Sequence, residues 1–206
     1  MGEDRARLRP CHSGFQIIRG VSFGGRSGLS SQTALQHRFV VPGGANYRMS
    51  WRFKITEAGA PISLAGSVAT QSSDYFAGAP FVASNAIDGN PSTFTHTAAG
   101  DSSPAWTLTL PIETEIGSIV LTNRTQGWRE RLRNITIQVF SDAAGTVPVF
   151  TSEALNPDNV LNGPTTLSVS TGRVTGRVIR MSRGLSDSPV GDDAVLAHGE
   201  VEIASP

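Results

Sequence analysis

The stretch Trp106-Thr107-Leu108-Thr109-Leu110 alternates large apolar side chains with threonines. Because successive side chains of a β-strand point to opposite faces, this period of two predicts a strand with one buried face and one polar face. Ile135–Phe140 and Val174–Met181 show a similar alternation, and Gly, Pro, Asn or Asp bound each run. Short strands, long polar connections and the lack of a convincing helical period predict an all-β fold, an antiparallel β-sandwich or jelly roll.

The first residues differ in texture from this region. Residues 1 to about 35 are rich in Gly, Ser and Arg, which predicts a flexible lead. Two apolar runs, Phe39–Val41 and Met49–Ile55, flank a turn-forming Pro-Gly-Gly-Ala-Asn segment and predict a hairpin. We therefore expect an N-terminal extension over residues 1–63, followed by one β domain over residues 64–206.

Charge, apolar content and cysteine content limit the partners and the covalent links that the chain can have. Lys plus Arg and Asp plus Glu number 17 each, so the chain lacks the broad positive field on which non-specific nucleic-acid binding depends. No apolar stretch approaches the roughly 18 residues of a membrane-spanning helix. The single cysteine, Cys11, can form no internal disulfide. We expect no nucleic-acid partner and no membrane span, and no secretion signal is visible near the N-terminus.

A polar run, Asn123-Arg124-Thr125-Gln126-Gly127-Trp128-Arg129-Glu130-Arg131-Leu132, follows the strand-like segment Ile119–Thr122. We place this run on a loop at the mouth of the sheet, where binding residues concentrate. Together with His96, the guanidiniums of Arg124 and Arg131 could converge on one small polar ligand. Arg offers five fixed donors and a neutral His adds a donor and an acceptor, which suits sugar hydroxyls. Alternatively, these are ordinary solvated side chains, and their spacing alone favours that interpretation.

Trp128 lies between the two arginines, in a segment too polar for a core strand. Its indole could offer a flat apolar face to the C–H groups of a sugar while its N–H stays in water. The alternative is that Trp128 folds back as a lid on the core. The sequence gives the two interpretations similar weight.

The segment Asn85-Ala86-Ile87-Asp88-Gly89-Asn90 is rich in oxygen-bearing side chains around a tight glycine. Such a loop suits a hard cation such as calcium, although an ordinary Asx turn is the commoner outcome. The sequence contains no zinc-ligand cluster and no phosphate-binding glycine loop. Asp187, Asp192 and Asp193 fit a solvated turn better than the paired carboxylates of a glycoside hydrolase. We expect no enzyme in this chain.

Five segments in order resemble the F-type lectins, the fucose-binding (fucolectin) family of discoidin-like jelly rolls. They are Ala69–Ser73, Asn85–Asn90, His96-Thr97, Asn123-Arg124 with Arg131-Leu132, and Glu200–Ile203. The resemblance covers residues 64–206. It implies a β-sandwich lectin that binds L-fucose or fucosylated glycans without transforming them, in a secreted or extracellular setting, where homo-oligomers and tandem domains are common.

In that family the sugar motif is a His, then an Arg-x-Asp, then a second Arg or Lys, and it maps to His96, Arg124 and Arg131. The resemblance implies that these side chains hydrogen-bond the ring oxygen and hydroxyls of fucose. Gln126 stands at the Asp position and lacks its charge, so we expect less preorganised arginines. Gly127 and Trp128 stand where the family has adjacent cysteines that pack against the sugar, and Trp128 could replace that contact.

The resemblance also implies a structural calcium ion. Its ligands map to Asn85, Asp88, Asn90, Thr93 and Glu200, with the backbone carbonyl of Gly199. Phe94 and Gly199 stand where the family usually has a disulfide, and both cysteines are missing together.

Two alternatives to a fucose lectin stay open. The first is a discoidin-like module whose ligand is another glycan, a lipid head group or a protein, which Gln126 and the missing cysteines favour. The second is a fragment of a larger secreted protein or enzyme, in which this domain would serve for targeting.

Overall fold

The computed structural model describes residues 34–40 and 46–52 by their backbone, and residues 59–186 and 194–206 with their side chains. The chain forms two compact units, Met1–Thr56 and Glu57–Pro206. In the first unit, β1 (Ala34–Val40) and β2 (Asn46–Arg52) pair antiparallel.

Two of the sequence-based expectations lie outside the described residues. These are the flexible lead at the N-terminus and the acidic residues Asp187, Asp192 and Asp193.

The described part of the second unit is built from antiparallel strands, and no α-helix occurs in it. The strands are β3 (Val68–Gln71), β4 (Ala105–Thr122), β5 (Ile135–Phe140), β6 (Pro148–Thr151), β7 (Thr166–Arg183) and β8 (Val201–Ala204). Short 3₁₀ turns occur at Ala83–Ile87, Arg129–Arg131 and Pro157–Asn159. The predicted all-β antiparallel class is therefore confirmed.

The two longest strands, β4 and β7, organise the sandwich. The order of the strands in the sheet is β3-β4-β7-β5-β6, and β8 also pairs with β4. The register between β4 and β7 shifts between Thr109 and Thr114. Because β3 pairs with β4 before this shift and β8 pairs with β4 after it, β4 has different neighbours along its two halves.

The core confirms the alternation that predicted the fold. Trp106, Leu108 and Leu110 are fully buried, while Thr107 and Thr109 between them are half-buried. Fully burying each large apolar side chain contributes about 1.5–3 kcal/mol. The polar group of the largest core side chain is satisfied, since the indole Nε1 of Trp106 donates to the carbonyl of Ala83 at 2.9 Å.

A buried backbone pairing places the functional segments at one end of the sandwich. The N–H of Thr95 donates to the carbonyl of His198 (2.8 Å), and the N–H of Thr97 donates to that of Leu196 (3.1 Å). The N–H of Leu196 donates in return to the Thr97 hydroxyl (3.0 Å). This pairing holds the segment that carries His96 beside the segment that leads into β8.

At the same end, β4 ends at Thr122, and the polar run begins at Asn123. The side-chain amide of Asn123 donates to the carbonyls of Arg129 (2.8 Å) and Pro164 (2.7 Å), which ties the loop to its own base.

In the described parts of the chain, no helix is both long and apolar enough to cross a membrane.

Candidate functional site

His96 and Arg131 form a buried pair although they lie on different connections between strands. Nη1 of Arg131 lies 2.9 Å from Nε2 of His96, and Nδ1 of His96 lies 2.7 Å from the carbonyl oxygen of Thr97. Because a guanidinium can only donate, Nε2 is the acceptor and Nδ1 carries the proton. The contact therefore fixes the neutral tautomer of His96 and the direction of the Arg131 fork.

Arg124 lies beside this pair, stacked on an aromatic ring. Its Cζ lies 3.8 Å from the centroid of Phe94, and its Nε donates to the backbone carbonyl of Gln126 at 2.7 Å. Burial lowers the pKa of Arg124, the charge of Arg131 lowers it further, and Glu130 opposes the shift. An arginine still keeps its proton. None of the described residues accepts a hydrogen bond from its two Nη groups, so these donors are available to a ligand.

Trp128 stands at the rim with a backbone that is unusual for a bulky residue. Its φ is 54° and its ψ 31°, in the left-handed region, and 60% of the residue is exposed. The Cζ of Arg131 lies 4.6 Å from the indole centroid. This exposure shows that the alternative of a core lid is wrong. The left-handed backbone costs about 1 kcal/mol or more.

These residues line one open pocket with a volume of about 250 Å³. Three aromatic side chains complete its wall, namely Tyr75, Phe81 and Phe94. The ring centroids of Tyr75 and His96 are 4.4 Å apart, and Phe81 stacks on Phe94 at 4.6 Å. The pocket thus combines two cationic forks, a neutral imidazole and apolar ring faces.

Sequence reasoning missed Tyr75 and Phe81. A usable signal was present for Tyr75, since Tyr75 and Phe76 interrupt a segment of Ser, Asp, Ala and Gly, much as Trp128 interrupts its own polar loop. The contact between Tyr75 and His96 depends on how two loops pack, which no local pattern reports.

Gln126 lies at the edge of this arrangement. Its backbone carbonyl holds Arg124, while its side-chain amide donates to the carbonyl of Ser92 at 3.4 Å. The neighbouring Thr125 hydroxyl donates to the carbonyl of Pro91 at 3.3 Å. The side chain of Gln126 does not line the pocket. It connects the arginine loop to the turn that follows Asn90.

The oxygen-rich loop before the pocket is compact. One carboxylate oxygen of Asp88 accepts from the Asn90 N–H at 2.8 Å, and the Thr93 hydroxyl lies within 3.0 Å of both oxygens of Asp88. The same hydroxyl lies 2.8 Å from the carbonyl oxygen of Asn90 and 3.5 Å from that of Asn85. Side-chain and backbone oxygens from four residues therefore converge.

Glu200 brings a second carboxyl to this loop. Burial raises the pKa of Glu200, and the hydrogen bond and negative charge of Asp88 raise it further. Although burial opposes it, the hydrogen bonds from Asn90, Thr93 and Glu200 hold the pKa of Asp88 below its usual value. Oε1 of Glu200 is buried and has no hydrogen-bond partner in the described part of the protein. Two carboxyls that share a site in this way need either a proton or a cation between them.

A shared segment and hydrogen bonds connect the oxygen-rich loop to the pocket. Thr93, Phe94 and His96 lie on one short segment, and the side-chain amide of Asn85 donates to the Phe94 carbonyl at 2.9 Å. Gly199, the remaining predicted ligand, donates its N–H to the Thr122 carbonyl at 2.8 Å, immediately before the arginine loop. Movement of the oxygen-rich loop would therefore displace the floor of the pocket. Among the described residues, no group of three or more His, Cys, Asp or Glu is placed to hold a metal ion.

Residues 85–181 match the sequence model of the family described as NedA-like, galactose-binding domain. No curated protein sequence matches the chain.

Solved structures share the fold. A mutant of the lectin-binding domain of lectinolysin complexed with Lewis b superimposes with a TM-score of 0.58 and 25% identity, over 72% of this chain and 99% of that one. A fucose-binding module from Streptococcus pneumoniae, SpX-3, gives 0.57 and 24%, over 71% and 98%. A fucolectin from striped bass (Morone saxatilis) serum gives 0.53 and 21%, over 81% and 64%. The predicted resemblance to the fucolectins is confirmed at the level of the fold, a discoidin-like β-sandwich, and residues 85–181 are similar to a galactose-binding domain.

Proposed function

We propose that this domain binds L-fucose or fucosylated glycans and does not transform them. The supporting observation is the pair of Nη groups of Arg124, which have no acceptor among the described residues and lie next to Arg131 and the neutral imidazole of His96. Sugar hydroxyls accept as well as donate, and guanidinium forks give them fixed donors. The fucose-binding module and the Lewis b complex among the solved structures support the same ligand class.

Each side chain has a distinct role in this proposal. Arg124 and Arg131 donate to hydroxyl and ring oxygens of the sugar, and His96 orients Arg131 through Nε2. Trp128 offers its exposed indole to the C–H face. Gln126 contributes through its backbone carbonyl, which accepts a hydrogen bond from Nε of Arg124 and so orients that guanidinium.

A glycan array tests this proposal most directly. We expect enrichment of fucosylated glycans over otherwise identical chains that lack fucose. If binding shows no dependence on fucose, the ligand assignment is wrong, and the discoidin-like alternative with another glycan, a lipid head group or a protein gains support.

We also propose a structural calcium ion in the oxygen-rich loop. The donors are all oxygens, the carboxyls of Asp88 and Glu200 face each other, and Oε1 of Glu200 is buried without a partner in the described region, which fits a hard cation. The ligands in this proposal are Asn85, Asp88, Asn90, Thr93, Gly199 and Glu200. When bound, the ion neutralises the two carboxyls and fixes the loop against the segment that carries His96.

Galactose-type glycans are the second candidate. The matching family model is described as galactose-binding, and this observation favours a sugar that shares an axial hydroxyl with fucose. The same array distinguishes the two sugars, because terminal galactose without fucose would then be enriched.

The setting of the domain is also a proposal. The striped bass fucolectin comes from serum, which supports an extracellular location for this chain. A shallow polar pocket gives modest affinity for each site, so homo-oligomers or tandem domains would raise the avidity. Sedimentation of the purified chain would show whether it self-associates.

A further inference from the structure

The exposed aromatic residues of the described chain are concentrated in one place. They are Tyr75, Phe76 and Trp128, and the other described aromatic residues are buried or half-buried. Exposed apolar clusters on a protein surface mark binding sites more often than chance. All three of these residues lie at or beside the proposed fucose pocket.

The aromatic surface on the His96 side extends beyond the pocket. Tyr75 lines the pocket with its ring centroid 4.4 Å from that of His96, and Phe76 continues the surface at 5.2 Å from Tyr75, with an interplanar angle of 56°. Phe76 does not line the pocket itself and is 54% exposed. A shoulder formed by Tyr75 and Phe76 therefore leads outward from the sugar-binding position.

Hydrogen bonds connect the residues before this shoulder to neighbouring segments. The side-chain amide of Gln71 donates to the carboxylate of Asp74 (2.9 Å) and to the backbone carbonyl of His96 (3.2 Å). The hydroxyls of Ser72 and Ser73 both donate to Asp101. Contacts that restrict a wall in the free protein reduce the conformational entropy that is lost when a ligand packs on it.

We infer that the Tyr75–Phe76 shoulder is a second subsite, which takes the apolar C–H face of the pyranose linked to the sugar in the pocket. The inference rests on the proposed function. A pocket of about 250 Å³ is smaller than typical cavities for drug-sized ligands and suits a single sugar ring, so the next ring of a glycan extends over its rim. The ligand class is then a fucosylated oligosaccharide whose neutral neighbouring ring stacks on Phe76.

The test measures dissociation constants by calorimetry for methyl α-L-fucoside and for disaccharides of α-fucosyl galactose and α-fucosyl N-acetylglucosamine. We expect the wild type to bind at least one disaccharide about tenfold more tightly than the monosaccharide. Phe76→Ala should remove this preference and leave binding of the fucoside within about twofold, because Phe76 lies outside the pocket. Phe76→Leu should keep part of the preference through its apolar area.

The matched control is Ile112→Ala, which removes a residue that is also exposed but lies outside the pocket lining. This variant should keep both affinities. The inference is overturned if the wild type binds all the ligands equally, or if folded Phe76→Ala keeps the preference. If the wild type binds none of the sugars, the proposed function fails as well, whereas fucoside binding without a disaccharide preference overturns the second subsite alone.

Discussion

The proposed sugar pocket and the oxygen-rich loop are neighbours along the chain but differ in their electrostatics. In the pocket, the two arginines are placed by protein partners: Arg124 by a ring and a carbonyl, and Arg131 by His96. In the loop, Asp88 and Glu200 bring two carboxyls together, and Oε1 of Glu200 is a buried oxygen that has no partner in the described region. The pocket is organised by protein partners, whereas the carboxyls of the loop need a proton or a cation between them.

This difference assigns the two regions different thermodynamic roles. A ligand that enters a preorganised pocket changes affinity far more than fold stability, so substitutions there should separate binding from folding. A cation that neutralises the neighbouring carboxyls of Asp88 and Glu200 stabilises the folded state itself, so its removal should appear in the melting temperature. The predictions below can break or sharpen this contrast.

The largest effect is expected from Arg124→Ala. The change removes the free Nη donors, and hydrogen bonds from charged groups are each worth about 1.5–3 kcal/mol, so affinity for fucosylated ligands should fall by roughly a hundredfold. Calorimetric titration gives the affinity, and circular dichroism should stay unchanged. Arg173→Ala, at an exposed arginine that does not line the pocket, is the matched control. If Arg124→Ala retains wild-type affinity, this pocket does not bind the fucosylated ligand.

Removal of calcium should have the next largest effect, and on stability. A cation present at about a hundred times its dissociation constant stabilises the folded state by about 2.7 kcal/mol, so EDTA should lower the melting temperature by roughly 5 to 10 °C. Scanning calorimetry with and without added calcium measures this shift. Asp88→Asn should melt at the lower temperature and no longer respond to EDTA. A wild-type melt that ignores EDTA would show that the carboxyls are neutralised by a proton instead.

Trp128→Gly should weaken binding without weakening the fold. Loss of the indole removes the apolar platform, and affinity should fall by about tenfold. Because glycine adopts the left-handed backbone without strain, urea unfolding should show unchanged stability or a gain of up to about 1 kcal/mol. Trp128→Phe is the control that keeps an aromatic face. A clear loss of stability in Trp128→Gly would mean that the indole packs as a structural element.

The sequence predicted the core of this domain better than its long strands. The alternation at Trp106–Leu110 identified a half-buried strand because that period is local and strict. Pro111 and Gly117 interrupt the alternation along the sequence, while β4 continues through both. The register shifts between Thr109 and Thr114 and between Ile116 and Ser118 accompany this continuation, and they arise from pairing with β7, which is remote in sequence.

The site was predictable where the order of motifs carried the information. His96, Arg124 and Arg131 were found by resemblance, and the structure brings them together although no local rule pairs His96 with Arg131. Tyr75 was missed because its contact with His96 arises from the packing of two loops. The role of Gln126 also depends on tertiary structure, since its side chain points to Ser92 and its carbonyl to Arg124.

Gln126→Asp should have the smallest effect, and it tests the expectation that the missing carboxylate leaves the arginines less preorganised. Arg124 is already held at 2.7 Å by the backbone carbonyl of residue 126, so an added carboxylate at that position duplicates an existing acceptor. It also gives up the donor to the Ser92 carbonyl. Fucoside affinity should therefore change by less than about threefold, an amount typical of a weak or exposed charge contact. A gain of tenfold or more would show that the guanidinium of Arg124 is loosely held. The pocket would then resemble the oxygen-rich loop in needing a partner charge.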